Sequence, residues 1–135
     1  MLIDNRKLGE QGETVALNFL LTKGYTLIDR NYRAMRCEID LIMKAPNNEI
    51  VFVEVKARTN QRYILGRQAV NKSKQLNIIK AAEHFVSENN CYDAFMRFDV
   101  IEVDMPSKTV VHIENAIVRY VSVYYLEILC YDLGK

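Results

Sequence analysis

Asp40, Glu54 and Lys56 occupy positions from which acidic oxygens and an ammonium could meet. Glu38-Ile39-Asp40-Leu41-Ile42 reads as one strand and Val51-Phe52-Val53-Glu54-Val55-Lys56 as the next, with turn residues Ala45-Pro46-Asn47-Asn48 between them. Side chains alternate faces along a strand, so Glu38 shares a face with Asp40, and Glu54 with Lys56. A hairpin centred on Asn47 is expected to pair Asp40 with Glu54 and Glu38 with Lys56. Two carboxylates directly opposite, with Cβ atoms about 5 Å apart, repel each other. A divalent cation removes that repulsion. Mg²⁺ (or Mn²⁺) is held by one or two carboxylates, with water and substrate phosphate completing its shell. The expected ligands are Asp40, Glu54 and the carbonyl of Val55, with Lys56 placed to hold a water or offset charge on a phosphate. Val51, Phe52, Val53 and Val55 are almost continuously apolar, as in an interior strand covered on both faces. Charge at the end of such a strand is costly unless it is paired.

The elements that would position these groups follow from periodicity. Residues 5–23 carry Leu8, Gly12, Val15, Ala16, Phe19 and Leu20 at helical spacing, and Gly24 is a natural stop. Strands are expected over 25–32, 38–44 and 50–56 as an antiparallel meander, then a polar loop over 59–66. A second helix is predicted over 70–88, with Leu76, Ile79, Ala82, Phe85 and Val86 inward and Lys72, Lys74 and Lys80 outward. Strands over 97–104 and 109–113 form a second hairpin, and the helical crossover before them makes strands three and four parallel. The expected fold class is α/β: a five-stranded mixed sheet in order 1-2-3-4-5, strands 2 and 5 antiparallel to the rest, with helices on its faces.

The 135 residues suit one domain with a substantial core. The net charge of +1 hides a polarised distribution. From Glu54 to Lys80 seven basic residues accompany one acid, whereas from Glu83 to Asp104 six acids accompany only Arg97. A local basic stretch of that kind can bind a polyanion. Cys37, Cys91 and Cys130 are widely spaced without a Cys-x-x-Cys, which argues against zinc and for reduced thiols in the cytoplasm. Residues 1–116 are expected to form the domain and 117–135 an apolar tail. Arg119, Glu127 and Asp132 leave that tail too short an apolar run for a membrane span. It is expected to pack on its own core or on a second copy of the chain.

A longer string of residues resembles a known pattern. It comprises Gly12-Glu13, Asn31-Tyr32-Arg33, Glu38-Ile39-Asp40, Glu54-Val55-Lys56, Arg58, Gly66, Lys72 and Arg97-Phe98-Asp99-Val100. An acid, a loop and Glu-x-Lys on the following strand resemble the PD-(D/E)xK nuclease superfamily. The fuller string is similar to the YraN-like family of bacterial endonuclease-like proteins, themselves similar to archaeal Holliday-junction resolvases. The resemblance implies a restriction-endonuclease-like three-layer α/β/α core. It also implies metal ligation by Asp40 and Glu54, catalysis by Lys56, and a helical acid, Glu13, reaching the site directly or through water. Glu38 either joins the cluster or pairs with Lys56. Arg33, Arg58 and Lys72 would contact phosphates, with Arg67 and Lys74 as further candidates. Cys37 stands where relatives usually carry Gly.

The leading expectation is therefore a Mg²⁺-dependent endonuclease acting on DNA, with branched or structured DNA as a candidate substrate and a two-fold dimer as its form. Two other classes stay open: a non-catalytic nucleic-acid-binding module, and a small structural dimer built on the tail.

Overall fold

The computed structural model describes residues 4–59 and 72–117. Helix α1 (Asn5–Thr22) starts at Asp4, whose carboxylate accepts the amides of Arg6 (3.0 Å) and Lys7 (3.4 Å) as an N-cap. Past its end Gly24 adopts φ +87°, a left-handed conformation open to glycine, which turns the chain into β1. The strands are β1 (Thr26–Ala34), β2 (Cys37–Lys44), β3 (Ile50–Arg58), β4 (Met96–Asp104) and β5 (Thr109–Ile113). Helix α2 (Lys72–Asn89) lies between β3 and β4. The sheet order is β1-β2-β3-β4-β5, with β3 and β4 parallel and the other three pairs antiparallel. Met35 and Arg36 both have positive φ (55° and 61°), the signature of a tight two-residue hairpin between β1 and β2.

Alternation along the strands divides the core into two layers. Ile42, Phe52, Phe98 and Val100 pack with Ile78, Ile79, Phe85 and Val86 of α2. Leu41, Met43, Val51, Val53, Ile101 and Val103 pack with Ala16 and Leu20 of α1. The helices thus cover opposite faces of the sheet. On the α2 side, Phe52 stacks on Phe98 (5.3 Å between centroids), and Phe85 meets Tyr32 and Phe52 edge-on.

Helix α1 approaches β3 unusually closely. A Cβ on Gly12 would lie 2.5 Å from Cβ of Ala57, nearer than two carbons can stand. Gly12→Ala is therefore expected to push α1 outward and destabilise the fold by about 1–3 kcal/mol, as overpacking does. Urea unfolding measures this, and Ala57→Gly in the same chain should recover part of the loss. Unchanged stability would show that α1 has room to spare.

In the second helix Ile79, Ala82, Phe85 and Val86 are buried as expected, and Leu76 is the exception. Leu76 is 36% exposed, while Ile78 and Ala81 are buried. The inward stripe runs through 78–79, 81–82 and 85–86, and Lys74, one turn before Ile78, is half-exposed with its Nζ on Glu54 of β3.

A second polar cluster is buried on the α1 side. Arg97 donates from Nε (2.9 Å) and Nη2 (3.0 Å) to Asp99, and from Nη2 to the Tyr25 hydroxyl (2.6 Å). Asp99 is wholly buried and also accepts His112 Nε2 (2.7 Å) and the amide of Asn115 (3.1 Å). Lys23 Nζ lies 3.1 Å from His112 Nδ1 and over the rings of Phe19 and Tyr25. These contacts fasten β5 and the end of α1 to β4.

Candidate functional site

The site begins where one ladder stops. Residues of β2 and β3 pair from Lys44↔Ile50 to Leu41↔Val53, and the pairing ends there. Asp40 and Glu54 are the next two residues in register. Instead of a backbone carbonyl, Asp40 Oδ2 accepts the Val55 amide at 2.8 Å. The side chain thereby takes over the strand's hydrogen bond at the point where β2 leaves β3, and it is anchored by doing so. What the structure records at Val55, expected as a carbonyl ligand, is this amide contact.

Glu38 does not pair with Lys56 as the hairpin register had it; of the two roles left open for it, it takes the place among the acids. With the β2–β3 ladder ended, Glu38 faces β1, its register partner there being Arg33, and Arg33 Nε lies 3.4 Å from Glu38 Oε2. Carboxylate oxygens of Glu13, Glu38 and Asp40 all lie within 4.8 Å of one another. Glu13 comes from α1, one residue beyond the close approach at Gly12. Glu54, only 4% exposed, joins the group from the β3 side. Its Oε1 receives Lys56 Nζ at 3.5 Å and Lys74 Nζ at 2.5 Å.

Burial and neighbouring charge shift the protonation of Asp40 and Glu13. Burial first, then the charge of Glu54, pushes the Asp40 carboxyl up to about 8, although the Val55 amide opposes the rise. Burial likewise raises Glu13, against the hydrogen bond it shares with Asp40 and the charge of Arg30. Burial lowers Lys56, assisted by the neighbouring Lys74 and resisted by Glu54. Burial would also lower Lys74, but its bonds to Glu54 and Lys56 outweigh it and leave that amine above its ordinary range.

The donor set suits a hard divalent cation. Oxygens about 2.1 Å from a shared Mg²⁺ stand at most about 4.2 Å apart, so the Glu13–Glu38–Asp40 group needs only slight contraction. Carboxylates this close need protons or a cation between them, and Asp40 holds its proton to about 8.

The basic candidates separate. Arg33 lines a cleft with Glu13, Asn31 and Glu38, on one side of the acids. Lys74 lines a second cleft with Arg36, Cys37, Glu38, Asp40, Glu54, Ser73 and Asn77. Lys72 is exposed at the first position of α2. Arg58 lies at the end of β3, with Nε 3.9 Å from Glu102, and is partly buried. Arg67, together with the tail from residue 118, lies outside the described residues. Arg36, Ser73, Asn77, Arg30 and Asn31 were not anticipated as site residues. Asn31 belongs to the Asn31-Tyr32-Arg33 segment of the string of resemblance and Arg30 adjoins it, while Lys74 stands one turn before the core residue Ile78, a readable sign of a lysine near the sheet.

A profile described as "Uncharacterised protein family UPF0102" matches residues 12–103. The chain is 41% identical over 114 residues to a UPF0102 protein of Clostridioides difficile (strain 630), covering 84% of this chain and 99% of that one. A UPF0102 protein of Pelobacter propionicus is 40% identical over 117 residues, covering 84% of each chain. One from Alkaliphilus oremlandii is 40% identical over 116 residues, covering 83% of this chain and 98% of that one. Among the described residues, no helix is long and apolar enough to cross a membrane.

Proposed function

The chain belongs to the uncharacterised family UPF0102, and from the geometry where β2 leaves β3 we propose that it is a Mg²⁺-dependent endonuclease hydrolysing phosphodiester bonds in DNA. The observation carrying this reading is the convergence of Glu13, Glu38 and Asp40, with Glu54 and its partner Lys56 alongside, where Glu38, Asp40 and Glu54 line one open cleft and Glu13 and Glu38 the next. Glu13, Glu38 and Glu54 each have an arginine or lysine partner, as in a structural ion-pair cluster, and Asp40 is the exception. Asp40 meets further acids and one backbone amide.

Glu13, Glu38 and Asp40 would hold Mg²⁺ or Mn²⁺ with Glu54 at the margin, and the bound ion would polarise the phosphate and acidify a water. Lys56 is the group for the proton step. Burial keeps its amine below the ordinary lysine range, which favours proton exchange with the attacking water or a phosphate oxygen. Glu54 holds Lys56 in place, and Lys74 offsets the charge of Glu54 from the α2 side. Arg33, Arg36 and Lys72 meet the DNA backbone around the clefts, with Arg58 beyond the end of β3 and Arg67 assigned by the sequence pattern. The corresponding fold type is restriction-endonuclease-like, acting in the cytoplasm as a two-fold dimer on branched or structured DNA.

The test uses purified full-length protein with Mg²⁺ or Mn²⁺ and linear, nicked, flapped and four-way-junction DNA. Cleavage that requires the divalent ion and stops on chelation is expected, strongest on the branched forms. Salt-sensitive binding without cleavage would reassign the chain to nucleic-acid binding alone. Absence of DNA binding, cleavage and metal uptake would leave a structural role.

A further inference from the structure

Asn31 lies in the middle of β1, yet its φ is +54°. A left-handed non-glycine residue inside a strand costs on the order of 1–2 kcal/mol, although asparagine tolerates it better than most. Its flanking pairs are Arg30↔Leu41 and Tyr32↔Ile39, which sets Asn31 across from Asp40. Consecutive residues of a regular strand point to opposite faces. Here the left-handed turn lets both Arg30 and Asn31 reach Glu13 on α1.

With its amide nitrogen turned toward the acids, Asn31 donates to Glu13 Oε1 at 2.9 Å and to Glu38 Oε1 at 3.1 Å. The remaining oxygens face arginines: Glu13 Oε2 lies 3.8 Å from Arg30 Nη2, and Glu38 Oε2 lies 3.4 Å from Arg33 Nε. Arg30 is itself tied to α1 through the Glu10 carbonyl (3.2 Å) and the Thr14 hydroxyl (3.0 Å). Each acid is therefore met on both oxygens by β1. A neutral amide with two donors suits the inner position, because it joins two carboxylates without cancelling the charge a cation would use.

We propose that Asn31 is a positioning residue: its amide fixes the spacing of Glu13 and Glu38 around Asp40 and so sets the affinity of the site for a divalent cation. The inference rests on the metal-dependent reading above and adds a residue to it. The left-handed backbone is the conformation that brings the amide to both acids, which gives the strain a use.

Asn31→Gly and Asn31→Ala separate the two contributions. Glycine accepts φ +54° without strain and lacks the amide; alanine lacks the amide and keeps the strain. Thermal unfolding without added metal and Mn²⁺ titration by calorimetry are measured on full-length protein for both variants and the wild type. Asn31→Gly should match or exceed wild-type stability while binding Mn²⁺ about 10- to 100-fold more weakly, the range for losing a group that orients metal ligands. Asn31→Ala should lose affinity to the same extent and also unfold at lower temperature. Wild-type affinity in Asn31→Gly would overturn the proposal while leaving the metal site intact. Affinity that falls only in step with stability would overturn it too, by reducing Asn31 to a structural role. Failure of the wild type itself to bind Mn²⁺ would instead remove the reading on which the proposal stands.

Discussion

Lys56→Ala is expected to slow DNA cleavage by at least about 100-fold, the lower end of what a positioned acid–base group contributes, while folding, Mn²⁺ uptake and DNA affinity stay near wild type. Lys56 is half-buried beside Glu54, so removing it strands no buried positive charge and leaves Glu54 bonded to Lys74. Its loss should therefore fall on turnover and spare assembly. Lys74→Ala provides the contrast. It leaves Lys56 on Glu54 and is expected to cost less in rate, with a larger share of the effect in DNA binding. Glu54→Gln should resemble Lys56→Ala in rate, because it keeps side-chain volume but frees both lysines from their shared anchor. Single-turnover cleavage alongside a binding assay reads these effects separately. Equal rates for wild type and Lys56→Ala would remove Lys56 from the chemistry, whatever the behaviour of Glu54.

The second large effect concerns stability on the opposite face of the sheet. Asp99→Asn is expected to destabilise the fold by about 3–5 kcal/mol, the cost of leaving a buried charge without its partner. Most domains have only about 5–15 kcal/mol in total, so the variant would stand near the threshold of folding. Arg97 is 6% exposed and would keep Tyr25 and the more distant carboxylates of Glu49 (3.5 Å) and Glu114 (3.9 Å), but would face a neutral amide in place of the carboxylate that takes two of its N–H groups. The pH dependence has a definite sign. Burial tends to raise the Asp99 pKa, but bonds from His112 and Arg97 outweigh it and hold the carboxyl below its usual range. A depressed carboxyl contributes its full stability above the unfolded value, about 3.9, and loses it as pH falls toward the folded value. The gap between wild type and Asp99→Asn, measured by urea unfolding, should therefore be constant near neutrality and narrow below about pH 4. A gap under 1 kcal/mol at pH 7 would mean that water or rearranged side chains replace the carboxylate.

Much of this architecture could be read from residue order. Period-two alternation and turn residues placed β2, β3, β4 and β5 to within about two residues. The heptad-like stripe of α1 and the stop at Gly24 bounded the first helix. Asp40, Glu54 and Lys56 stood out because each interrupts an apolar strand, where charge is costly unless it is used. These are local signals, set by neighbours two to four positions away along the chain.

The relations among the acids were not local. The register that set Glu38 opposite Lys56 assumed that the β2–β3 ladder continues past Leu41↔Val53, and it does not. Asp40 caps the Val55 amide there and Glu38 turns to Arg33 on β1. Nothing in the order of residues announces where two strands part, because that depends on sheet twist and on the helix packed against them. The placement of Lys74 beside Glu54 came from packing of Ile78 and Phe85, and the reach of Glu13 from the missing Cβ at Gly12. Asn31 needed three elements at once: a left-handed turn in β1, a carboxylate from α1 and another from β2. One-dimensional pattern could nominate the charged residues. Their convergence, and the amide that spaces them, arose only when distant segments were pressed together by burial of the two apolar layers.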